Sequence, residues 1–370
     1  MAHMPVEFDA PNQAKNRYGQ NTPCTPIGPW TYQGLLYNLL WNQVAGSIEM
    51  LQSKDSGKTW QVVDGAHSPA SPAGFPFGPG PSAAGYVDFS GQRVVLATVI
   101  APLGFQLQDF NFQTLTWGAP YLGTGTLPAD VYRVYGMYLR PDGTRAILYL
   151  RLSTTAVACA VISSSDAWLA DFAVNSNAPA GATSDGFAAM EPSGRLHVFF
   201  TVVTTAPFTQ CYQAVNLDNS LGTFFAFPIT FNVLYFGTPA VVGNSIVVPT
   251  TEGDQPGPPP TFNPATGTVW VGTPLNAPVF VESGEIFPNA YAQDWSQDET
   301  SAPILLFDGV TLRCLAVLGV RVLPFDYILQ VSSTRNLTAP ATGWSDSFFY
   351  AAPASASFYG SLIRPTLGVA

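Results

Sequence analysis

Arginines and carboxylates recur at corresponding points of this chain, where they are placed to hold an anion or to act on a glycosidic bond. Arg140 and Arg364 close two copies of one pattern, Arg133-Val-Tyr-Gly-Met-Tyr-Leu-Arg-Pro141 and Ser357-Phe-Tyr-Gly-Ser-Leu-Ile-Arg-Pro365. Guanidinium forks at equivalent strand ends suit bidentate anion binding. The plainer reading, which weighs more, carries each arginine into a solvated loop with a local ion pair. Four acids, Asp88, Asp185, Glu191 and Asp294, fall near inner strands or their turns. Two carboxyls about 5–9.5 Å apart would serve glycoside hydrolysis, one as proton donor. His3, His67 and His197 allow no Ser-His-Asp order, and His197 reads as a core or edge residue in Arg-Leu-His-Val-Phe-Phe. No phosphate loop, dinucleotide fingerprint, zinc-protease or EF-hand pattern is present, so no metal or other cofactor is expected.

These residues must be positioned by β-strands. Aromatic residues recur after small polar turns at Trp60, Trp117, Trp168, Phe224, Trp270 and Trp344, spaced 57, 51, 56, 46 and 74 residues apart. Ahead of four of them lies a glycine-bearing hairpin signal: residues 88–93, 140–145, 191–196 and 241–246. Apolar runs such as Arg-Ala-Ile-Leu-Tyr-Leu-Arg-Leu and Arg-Leu-His-Val-Phe-Phe-Thr-Val-Val follow the turns and read as strands rich in Val, Ile, Leu and Phe. Each unit is therefore strand, tight turn, strand, third strand, polar turn, aromatic and fourth strand. Six such units predict an all-β fold, a six-bladed β-propeller of four-stranded antiparallel blades.

The ends and the exceptions refine this. The first unit has later strands at 35–41, 47–52 and 60–63 but no first-strand pattern, so the Tyr359-containing segment is expected to join it and close the ring. Residues 1–30 then form an N-terminal arm and residues 31–370 one propeller domain. The Pro- and Gly-dense segments His67–Ala83 and Gly253–Pro260 are expected to be surface loops. The long last interval predicts an extra hairpin near Val310–Val322. Cys24, Cys159, Cys211 and Cys314 have no metal-ligand spacing, and the last three lie in apolar runs as small core residues.

Ser53-Lys-Asp-Ser-Gly-Lys-Thr-Trp60 matches the Asp-box and resembles the sialidase-like (BNR-repeat) propeller superfamily. In that box Ser53, Asp55, Gly57, Thr59 and Trp60 are structural: Asp55 caps the turn, Gly57 supplies the left-handed backbone and Trp60 packs between blades. The resemblance covers about residues 31–370 and implies a catalytic set of three arginines, a tyrosine nucleophile and acidic partners. Tyr359 resembles the late-strand tyrosine, but its recurrence as Tyr135 marks a packing residue. The family's early arginine motif is missing, Arg17 being a poor substitute.

Composition sets the partners. With 14 Lys and Arg against 24 Asp and Glu the net charge is −10, which argues against nucleic acid and anionic membranes. No segment reads as a membrane span, and no secretory signal is visible. Trp30, Tyr32, Tyr121 and Trp295 in loops would offer stacking surfaces for a glycan or a protein. The first functional reading is a non-catalytic recognition or structural module, a virion (phage tail) or cell-surface component binding a glycan or protein partner, outside the cell and in a homo-oligomer or larger assembly. The second is a sialidase-like glycoside hydrolase or lyase acting at the axial face.

Overall fold

The computed structural model describes residues 27–42, 47–54, 61–63, 83–88, 91–100, 104–203, 209–228, 233–236, 239–253, 266–287, 304–307, 311–320, 326–336 and 347–352. Among them the chain lays down six antiparallel sheets in order. Sheet 1 is β1 (Ile27–Tyr32), β2 (Leu35–Asn42), β3 (Ser47–Ser53) and β4 (Gln61–Val62). Sheet 2 is β5 (Ala83–Asp88), β6 (Arg93–Ile100), β7 (Gly104–Asn111) and β8 (Thr116–Trp117). Sheet 3 is β9 (Val131–Leu139), β10 (Arg145–Arg151), β11 (Val157–Ile162) and β12 (Trp168–Ala173). Sheet 4 is β13 (Ala182–Met190), β14 (Leu196–Val203), β15 (Thr209–Val215) and β16 (Leu221–Ala226). Sheet 5 has five strands, β17 (Val233–Phe236), β18 (Ala240–Val242), β19 (Ser245–Gly253), β20 (Thr266–Thr273) and β21 (Val279–Phe287), with β17 and β18 both pairing β19. Sheet 6 is β22 (Ile304–Phe307), β23 (Thr311–Val320), β24 (Asp326–Asn336) and β25 (Ser347–Ala352).

Successive sheets touch through their first strands: β1 against β5, β5 against β9, β9 against β13, β13 against β18 and β18 against β22. Strand alternation then shares the side chains between two neighbours. In β10, Ile147 and Tyr149 join the core with sheet 2, while Ala146 and Leu148 join the core with sheet 4. In β14, Val198, Phe200 and Val202 face sheet 3, while Phe199 packs with Ile246, Trp270 and Phe280 of sheet 5. A sheet buried on both faces needs a continuous apolar run, which is why these strands carry no polar alternation. Cys159 and Cys211 are free thiols in the core between sheets 3 and 4.

Three expectations are corrected. The first unit does have a first strand, β1, which takes Ile27–Trp30 from the expected arm; the Tyr359 segment, on which the expected ring closure rests, lies outside the described residues. Gly28-Pro29 hid this strand. The pairing with β2 skips register between Ile27 and Trp30, and β1 is at the sheet edge, where a proline's missing N–H costs no ladder bond. The β1–β2 turn, Gln33-Gly34, has both residues left-handed, the type I′ geometry that a two-residue hairpin requires. Trp270 lies within the third strand, β20, because the Thr266-Gly267-Thr268 stretch before it is accommodated by register shifts at Gly267 and Thr268 rather than by a turn. Residues 311–320 form one long strand paired on both sides, so sheet 6 gains its length from long strands and not from an extra hairpin at this point. Both Pro-rich loops lie almost wholly outside the described residues.

Candidate functional site

In sheets 2, 3 and 4 the first-hairpin and last-hairpin turns emerge at the same end, and arginines tie them together. Arg93, Arg145 and Arg195 each follow a turn containing glycine at the head of a second strand. Arg93 pairs with Asp88 at 3.1 Å and with Asp109, and Arg145 with Asp166 and the Ser163 carbonyl. Arg195 donates from Nε to Asn216 Oδ1 (2.9 Å) and from Nη1 to the Leu275 carbonyl of sheet 5 (3.2 Å). Arg140 crosses from sheet 3 to sheet 4, donating from Nη1 to Asn219 Oδ1 (2.7 Å) and the Leu217 carbonyl (3.4 Å).

Between these turns lies a shallow, widely open cleft of about 600 Å³ lined by Asp142, Ser193, Arg195, Asn216, Leu217 and Asp218. Turn chemistry sets each residue. Asp142 Oδ1 accepts from the Thr144 amide (2.9 Å) and hydroxyl (2.7 Å), and Gly143 takes the left-handed backbone that follows. Asp218 Oδ1 accepts in the same way from the Ser220 amide (3.0 Å) and hydroxyl (2.6 Å). Burial raises the Asp142 carboxyl, but the Thr144 hydrogen bonds and the Arg140 charge outweigh it and hold it below the usual range. The Ser220 hydroxyl and amide do the same for Asp218. Both are therefore carboxylates near neutrality: good acceptors for hydroxyl groups and poor proton donors.

Under the cleft lies a buried polar chain. Glu191 accepts from the Ser193 hydroxyl, lies 3.9 Å from Arg195 Nε and faces His197 Nε2 at 3.5 Å. His197 Nδ1 is 2.8 Å from the Tyr212 hydroxyl, and both rings are fully buried. Desolvation pushes His197 below its ordinary value, against the pull of the Glu191 carboxylate, and burial pushes Tyr212 up. The chain is thus a neutral imidazole between a protonated phenol and a carboxylate. Ser193 reaches the carboxylate rather than the imidazole, so His197 does not activate Ser193 as a nucleophile.

Arg140 is only 2% exposed and spans sheets 3 and 4 instead of following its strand into solvent. Asp88 caps its own turn through the Gly91 amide (2.9 Å) and pairs with Arg93. Glu191 is the buried acid just described, and Asp185 lies in β13 where the register skips between Ser184 and Gly186. Tyr32 is a correction to the loop reading: it ends β1 and stacks on Phe112 at 4.5 Å in the core between sheets 1 and 2. Trp30 lies in β1 rather than in a loop, and Tyr121 is half-buried with its hydroxyl donating to Asp109 at 3.1 Å. Ser53 is buried at the end of β3. Asp55, Gly57, Thr59, Trp60, Asp294, Trp295, Tyr359 and Arg364 lie outside the described residues. In the Tyr-Gly pattern Tyr135 packs flat against Gly186, where an added Cβ would stand 2.5 Å from the ring. Sequence reasoning missed Asp142, Ser193, Arg195, Asn216, Leu217 and Asp218; their signal is three ordinary turn motifs, Pro-Asp-Gly-Thr, Glu-Pro-Ser-Gly-Arg and Asn-Leu-Asp-Asn-Ser, set side by side only by the fold. Among the described residues no cluster of three metal-ligating side chains occurs, and no helix is long and apolar enough to cross a membrane.

No family model and no curated protein matches the chain. Among solved structures it is similar to polysaccharide lyase Uly1 (9% identity, TM-score 0.49, covering 90% of this chain and 91% of that one). It is also similar to a mutant Aleuria aurantia lectin in complex with alpha-methyl-L-fucoside (11%, 0.48, 87% and 98%). A third likeness is to Drosophila Plexin A in complex with Semaphorin 1b (11%, 0.43, 68% and 52%), so the chain spans about half the length of that match.

Proposed function

We propose that the six sheets are blades of a β-propeller of the sialidase-like, Asp-box kind, a single domain over residues 27–370, and that it is a non-catalytic module presenting the turn-face cleft to a glycan. The propeller reading rests on the first-strand contacts that run from sheet to sheet. The binding reading rests on the two carboxylates, Asp142 and Asp218, oriented by their own turns beside Arg195, Asn216 and Ser193. Such a lining exchanges hydrogen bonds with the hydroxyls of a sugar, and Leu217 supplies an apolar contact. A hydrolase needs a carboxyl that still carries its proton near neutrality, the opposite of what these two turns produce. A virion tail or a cell surface is the setting this reading favours.

The test is retention of the full chain on a panel of immobilised glycans, with fluorogenic glycosides, a sialoside included, assayed in parallel. The expected result is retention without turnover, weakened at least about tenfold by the Asp142→Asn, Asp218→Asn double variant. Turnover of any glycoside, or retention that the double variant leaves unchanged, overturns the reading.

A further inference from the structure

We propose that the cleft is gated by proton uptake at His197; this regulation rests on the cleft's being the binding site. Glu191 is the shared anchor. Its carboxylate accepts from the Ser193 hydroxyl and lies 3.9 Å from Arg195 Nε, and both of those residues line the cleft. The same carboxylate stands 3.5 Å from His197 Nε2, a separation too long for a strong hydrogen bond, and Nε2 is a buried nitrogen without a hydrogen-bond partner.

Protonation changes what this nitrogen can do. The imidazolium donates from both nitrogens, so the Tyr212 hydroxyl turns to accept at Nδ1, and the Glu191 carboxylate closes on Nε2 to the shorter spacing of a charge-assisted bond. A carboxylate whose Oε2 is drawn toward His197 turns its Oε1 away from the Ser193 hydroxyl, which then swings free into the cleft, while Arg195 stays tied to Asn216 and the Leu275 carbonyl. The titratable and charged groups around the ring are Glu191 and Arg195 from the β13–β14 turn and Tyr212 from β15. Sheet 5 covers the same side with Ile246, Val248, Trp270 and Phe280, which are apolar, so among the described residues Glu191 is the counter-charge. Because burial depresses the folded-state value below 6.5, the native arrangement takes up its proton later than the unfolded chain does. The neutral-imidazole cleft is therefore kept down to the folded-state value, which lies below 6.5, and is lost as the pH falls through it.

The test is a nuclear magnetic resonance titration of the full chain from pH 8 to 5, following the His197 ring carbons and the amides of Ser193, Arg195, Asn216 and Asp218. The ring and the amides are expected to share one midpoint below 6.5. His197→Gln should flatten that step in the amides. Glu191→Gln should move the His197 midpoint further down, because the imidazolium loses its counter-charge. Amides that titrate at a midpoint different from His197, or a wild-type His197 that stays neutral to pH 5 while they move, overturn the proposal. These readouts need no ligand, so they fail or succeed separately from the glycan reading. For any glycan that the panel retains, binding should weaken about fivefold or more from pH 7.5 to 5, and unchanged binding overturns the gate.

Discussion

Gly186→Ala probes the seam between sheets 3 and 4 most sharply. Gly186 lies in β13, the first strand of sheet 4, and a Cβ there would meet Tyr135 Cδ2 at 2.5 Å and Cε2 at 2.9 Å. Contacts below 3 Å between carbon atoms are repulsive, so either the Tyr135 ring or the strand must shift. The ring has little room, since Tyr135 packs against the buried core that holds Leu148, Val198 and Phe200. Overpacking of this kind costs about 1–3 kcal/mol. With a urea dependence of about 3 kcal/mol/M for a chain of this size, the midpoint should fall by roughly 0.3–1 M. Pairing the substitution with Tyr135→Ala removes the colliding ring, so Gly186→Ala should then cost close to nothing, giving a coupling energy of about 1–3 kcal/mol. The assay is urea unfolding of the four members of the cycle, followed by tryptophan fluorescence. An equal cost of Gly186→Ala in both backgrounds, or no cost in the wild type, refutes the packing of Tyr135 on Gly186.

Other consequences follow from burial and pairing. Asp166→Ala should lower stability by about 2–3 kcal/mol in the same assay, since it strips the charged partner from Arg145, whose side chain is 2% exposed. The value falls below that of a fully buried pair because the Asp166 side chain is 31% exposed. Burial pushes the Cys159 and Cys211 thiols up to about 12, so iodoacetamide at pH 8 should leave both unlabelled in the native chain and label both in urea, as read by peptide mass mapping.

Much of the architecture was legible because local chemistry and global packing agree. The turns at 88–93, 140–145, 191–196 and 241–246 all join first to second strands of sheets, and the apolar runs after them are strands buried on both faces. The strand Ile27–Tyr32 was illegible because Gly28-Pro29 reads as a breaker, and only an edge position with a register skip tolerates it. Trp270 was misplaced for a related reason: a Gly-Thr step inside a strand and one inside a turn have the same composition. The cleft was invisible for a different cause. Asp142 and Asp218 are 76 positions apart, each is the residue any such turn prefers, and nothing in either segment reports that two sheets bring them together. Arg140 shows the reverse, an arginine singled out for chemistry that instead fastens the turn carrying Leu217 and Asn219.

The most direct measurement is amide chemical-shift mapping of the full chain with whichever glycan the panel retains, recorded at pH 7.5 and again after prolonged incubation. Shifts confined to residues 142–144, 193–195 and 216–220, with the glycan recovered intact, are the expected result. Shifts centred elsewhere on the molecule, or a glycan found cleaved, would contradict a non-catalytic binding cleft between sheets 3 and 4.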